Sequence, residues 1–164
     1  MNSRLEQLAT QLKLLAPESR MLALAFGLAC SKRIEHLLEE PEVVDCLKVL
    51  GRYVAGEATA GELDTASEAA AVLANRHRGS KSIDGCGHAA VSATYGISKA
   101  MAGKAVEAAE YCAYAAIYAS GGYAAVADRE AFEPEYAWQA RQLAALAEAT
   151  ASSPASQWPH EQTT

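Results

Sequence analysis

A chain of 164 residues, half of them apolar, is long enough to bury a core without disulfides or metal ions, and it fits one domain. Its formal charge of −6 argues against nucleic acid or an anionic membrane surface as the partner, since binding phosphates needs a basic face, and favours a basic protein. The apolar half is mostly Ala and Leu with few β-branched residues, which excludes a sheet and predicts helix nearly throughout.

The chain opens with Ser3 and Glu6 at the spacing of a capping box, followed by Leu5, Leu8, Leu12 and Leu15 as one apolar stripe. This first helix is expected to stop before Pro17, because the residue preceding a proline is pushed out of helical geometry. Pro17 then suits the first turn of a second helix, about Glu18 to Leu38, which is apolar on nearly every side from Met21 to Cys30. A helix of that kind belongs at the centre of a bundle, and Ala25, Gly27, Ala29 and Ser31 would let a neighbour approach closely. That run is also too short to cross a bilayer.

Pro41 forces a break after Glu39 and Glu40. A third helix follows from about Glu42 to Val54, with Val43, Cys46, Leu47, Leu50 and Val54 inward and Gly56 as its stop. Thr59 with Glu62 predicts a second capping box, opening a fourth helix that buries Leu63, Ala66, Ala70, Leu73 and Ala74 and ends near His77. The Arg76 to Lys81 cluster reads as a solvated basic loop, with an anion site as the minority alternative. From Ser82 the composition turns to alanine, which predicts two tightly apposed helices, about Ile83 to Met101 and Lys104 to Ser120, with a turn at Gly121 and Gly122. A last helix is expected from Glu135 to Ala149, anchored by Trp138, Leu143 and Leu146. The expected architecture is thus a single all-α domain over 1–150, six to eight antiparallel helices with an alanine-rich C-terminal half, followed by a polar flexible tail over 151–164.

Candidate chemistry is thin. Cys30, Cys46, Cys86 and Cys112 are far apart, without a C-x-x-C pair, and nothing at the N-terminus resembles a signal peptide, so reduced, buried thiols in a cytoplasmic protein are expected. Cys86 and His88 are two residues apart and would point to different sides of a helix, which does not suit zinc, so no metal or cofactor is expected. A Cys86 nucleophile with His88 or His77 as base would need a third orienting group that the sequence does not place. The carboxylates from Glu35 to Glu68 outnumber Lys48 and Arg52. They form either a solvated face or a negative surface that steers a cationic partner.

The central stretch resembles the Imm-five-like family of immunity proteins from bacterial polymorphic toxin systems. The resemblance is carried by the apolar run ending at Ala29-Cys30, by Arg33 and Leu37-Leu38 before Pro41, and by Tyr53, Gly56-Glu57-Ala58-Thr59 and the Glu62 to Ala71 helix start. It continues through Gly87-His88-Ala89-Ala90 and the Ala108 to Tyr118 helix. It implies an all-helical cytoplasmic protein with no catalytic residues, which neutralises a cognate toxin by direct contact. If that toxin is a basic nuclease, acidic side chains could take the place of phosphates. Glu35, Glu39, Glu40, Glu42 and Asp45, which flank Pro41 at a corner between two helices, are the expected contact residues. The alternative is a small-molecule binder or enzyme using a cleft between the alanine-rich helices, lined by Tyr95, Tyr111, Tyr114 and Tyr118 with His88 or Cys86. Oligomeric state is left open.

Overall fold

The computed structural model describes residues 1–77 and 86–153. Among these the chain forms seven α-helices and no strand: α1 (Ser3–Gln11), α2 (Arg20–Ile34), α3 (Pro41–Val54), α4 (Ala60–Arg76), α5 (Cys86–Met101), α6 (Ala105–Ala127) and α7 (Glu133–Ser152). The expected all-α bundle is the observed one.

At its centre is α2, which packs against α3, α5, α6 and α7 and buries Ala23, Leu24, Phe26, Gly27, Cys30, Ser31 and Ile34. Small residues set how close its neighbours come. A methyl group added at Gly27 would lie 2.9 Å from Ala100 Cβ and 3.0 Å from Ala100 Cα, so α2 and α5 touch at backbone distance. Between α5 and α6 a methyl group at Gly96 would lie 2.8 Å from Cys112 Sγ. The core therefore has two textures. Leucines from α1 to α4 fill one side, while Ala93, Ala100, Ala105, Ala108, Ala109 and Ala115 let α5 and α6 close up on the other.

Two polar ties connect sequence-distant parts. Asn2, buried, donates from Nδ2 to the Tyr136 carbonyl (3.0 Å) and to Gln139 Oε1 (3.2 Å), and its Oδ1 accepts from the Leu5 amide. Gln139 in turn donates to the Ala109 carbonyl at 2.8 Å, so α1, α6 and α7 share one buried network. The second tie is Arg33 Nε, bonded to both oxygens of the buried Glu135 carboxylate at 3.0 and 2.8 Å, with its guanidinium 4.5 Å from the Trp138 ring centre.

Several expected boundaries move. Asn2, not Ser3, is the N-cap of α1, because its amide also reaches Tyr136 and Gln139, where a serine hydroxyl could not serve all three partners. The helix ends at Gln11 rather than before Pro17. Lys13 adopts φ 49°, so Leu14 turns into the core while Leu15, expected inward, is 87% exposed. Pro17–Ser19 is a separate 3-10 turn, and α2 stops at Ile34 with Glu35–Leu37 tightening into another. Pro41 is itself the first residue of α3, as its preset φ allows. The Thr59 and Glu62 capping box is present as expected. The Gly121 and Gly122 turn is instead a kink inside α6, with Gly122 at φ 61°, ψ −149°, and the helix resumes to Ala127. A 3-10 turn, Arg129–Phe132, leads into α7, which starts two residues earlier than expected and runs on through Ser152. The remainder of the expected tail, 154–164, and most of the basic loop, with Ile83, lie outside the described residues.

Candidate protein-binding surface

The corner around Pro41 is built by two backbone constraints. The 3-10 turn Glu35–Leu37 ends α2 tightly, and Glu40, in extended geometry, enters α3 without a side-chain cap. Both flanks are pinned by fully buried residues, Ile34 before the corner and Val43 and Leu47 after it. The acidic side chains at the corner are not equivalent. Glu35 is held by Lys32 at 2.9 Å and Asp45 by Lys48 at 2.9 Å, while Glu40 faces Arg76 of α4 at 3.8 Å. Glu39 and Glu42 are exposed and carry no ion pair among the described residues. These exposed ion pairs contribute little to stability, about 0–1 kcal/mol each, but they neutralise charge locally. The field at the corner thus concentrates on Glu39 and Glu42.

The sequence did not disclose what lies beside them. Along the α3 and α4 face run two shallow grooves. One, about 430 Å³, is lined by Glu42, Thr65, Glu68, Ala69, Val72, Leu73 and Arg76; its neighbour, about 400 Å³, adds Val49, Arg52, Gly61 and Glu62. Thr65 and Ala69 border both, so the acidic corner opens onto a continuous trough in which Val72 is 61% exposed. The available signal was Gly61, Thr65, Ala69 and Val72 at helical spacing, opposite the stripe that begins at Leu63. At the far end Glu62 closes the capping box. The Thr59 backbone amide, then the Thr59 hydroxyl, hold its carboxyl below the usual range, and Arg52 lies 3.3 Å away.

The tyrosines named as a possible cleft are occupied with one another. Tyr95 stacks on Tyr111 with ring centres 5.2 Å apart, Tyr114 meets Phe132 at 5.1 Å, and His88 stacks on Tyr118 at 5.3 Å and meets Tyr123 edge-on at 5.1 Å. The Cys86 side chain lies outside the described residues. Cys30, Cys46 and Cys112 are free and buried. Burial pushes the Cys30 and Cys112 thiols far above the ordinary value, so neither presents a nucleophilic thiolate at neutral pH. Among the described residues no group of three His, Cys, Asp or Glu side chains is placed to hold a metal ion. None of the described helices is long and apolar enough to cross a membrane. No family model, curated protein or solved structure matches the chain.

Proposed function

We propose that the protein is a cytoplasmic binder that neutralises a cognate toxin, an immunity-type inhibitor that engages a cationic protein surface through the corner at Pro41. The observation that carries this proposal is the pair of exposed carboxylates, Glu39 and Glu42, without an ion pair among the described residues, on a corner whose flanks are anchored by Ile34, Val43 and Leu47. Charges held on a rigid support give up little freedom on binding, and complementary fields raise association rates. The trough beside Glu42 supplies apolar contact through Ala69 and Val72. The immunity role itself rests on the resemblance of the central stretch. No residue is assigned a catalytic role.

The test is co-expression with the product of the adjacent gene, scoring rescue from toxicity and co-purification. Neutralising Glu39, Glu40 and Glu42 to glutamine should slow association about tenfold at low salt and flatten its salt dependence, with helical content unchanged. A triple variant that binds as fast as the parent at low and high salt excludes the corner as the interface. A neighbouring product that is neither toxic nor bound excludes the immunity role.

A further inference from the structure

We propose that the groove between α1 and α6 binds a linear fatty acid, its chain along the apolar wall and its carboxylate between Lys13 and Lys104. This site is separate from the α2–α3 corner and does not depend on the function proposed for it. The groove encloses about 610 Å³, inside the range of small-molecule sites, roughly 300–1,000 Å³. Ala9 and Leu14 form a buried floor, and Leu15, Ala16 and Val106 complete the apolar wall.

Its shape follows from one strained residue. Lys13 occupies the left-handed region at φ 49°, which costs a residue with a Cβ about 1–2 kcal/mol. In that conformation Leu14 is packed inward and Leu15 is left 87% exposed at the border of the groove. An apolar side chain held in water on a strained turn is a surface that an apolar chain would cover.

The rim selects the head group. Neither Lys13 nor Lys104 is in an ion pair among the described residues. Glu107, on the same rim, is bonded to Lys99 at 2.7 Å, and that hydrogen bond holds its carboxyl below the usual range. Glu107 also feels the charge of Lys104, so with Lys99 counted three ammonium groups, Lys13, Lys99 and Lys104, stand against two carboxylates, Glu6 and Glu107. A single ligand carboxylate balances that excess, whereas an ammonium head group would add to it.

Isothermal titration with octanoate, decanoate and dodecanoate, below their micelle concentrations, tests the proposal. Each added methylene should tighten Kd about fourfold, the equivalent of ~0.8 kcal/mol per buried CH₂. Replacing Lys13 and Lys104 together by glutamine should weaken dodecanoate at least tenfold and leave 1-dodecanol unchanged. Thr10→Trp, at an exposed α1 position on the groove wall, should abolish binding of both while the helical circular dichroism is retained. Absence of dodecanoate binding to the parent protein at millimolar concentration overturns the proposal, as does equal affinity for dodecylammonium. So does a dimer in sedimentation that Leu15→Lys disperses, since the groove would then cover a second copy of the chain.

Discussion

Gly27→Ala and Gly51→Ala make the same chemical change in two helices and should act with opposite sign. In α2 the new methyl group would sit 2.9 Å from Ala100 Cβ and 3.0 Å from Ala100 Cα, and the second of these is backbone, which cannot turn aside. Overpacking of that kind costs about 1–3 kcal/mol, against a gain in helix propensity of about 0.8–1.0 kcal/mol. The net expectation for Gly27→Ala is a loss of up to about 2 kcal/mol. At Gly51, in the last turn of α3, nothing lies within 4 Å of the added methyl group, so only the propensity gain remains, near the lower end of 0.5–1 kcal/mol. Urea denaturation at constant m resolves the difference, and thermal midpoints should move by about 2–4 °C per kcal/mol in a chain of this size. Equal stabilisation by the two substitutions would mean that α2 and α5 do not meet at backbone distance, and the close-packed centre described above would be wrong.

Two further outcomes follow from buried groups. Arg33→Ala leaves the Glu135 carboxylate, whose side chain is 7% exposed, without its partner; the loss should be about 3 kcal/mol by urea titration, the low end for a broken buried pair because Arg33 itself is partly solvated. No loss would mean that water already satisfies Glu135. Stability should also fall as pH rises above about 9. Burial raises the Cys30 and Cys112 thiols in the fold and raises Tyr136 to about 12, so the folded state keeps protons that the unfolded chain releases from the ordinary thiol and phenol values of 9.0 and 10.0 upward. That contribution is complete below the unfolded values and is lost progressively as pH rises from them toward the raised folded values, and a flat urea midpoint from pH 8 to 11 would contradict it.

What the sequence disclosed and what it hid divide along the range of the interactions. The Thr59 and Glu62 capping box, the buried thiols of Cys30, Cys46 and Cys112 and the close alanine-rich pair are local patterns, and they appear as read. The Lys32–Glu35 and Asp45–Lys48 pairs are equally local, at three-residue spacing, and could have been subtracted from the acidic corner at the outset. Arg76 opposite Glu40 could not, because only the α3–α4 packing brings it there. The choice of Asn2 over Ser3 was likewise decided by Tyr136 and Gln139, more than 130 residues away. The phase error at Leu14 and Leu15 has a different origin. Periodicity assumes continuous helix, and one left-handed lysine breaks the register without any glycine to announce it.

The two proposed surfaces sit on different parts of the fold, and this bears on what each can do. The corner joins α2 and α3, both sunk in the main core, so a partner meets charges already in place and the cost of ordering them is small. The groove is walled on one side by α1, whose N-terminal end is tied to α7 through Asn2 while its other end, from Lys13 to Ala16, is anchored by Leu14 beside an exposed Leu15. A ligand there would supply contacts the fold itself leaves unmade, and would stabilise the protein in proportion to its concentration over its dissociation constant. The corner suits recognition of a large, preformed surface; the groove suits a small, flexible one.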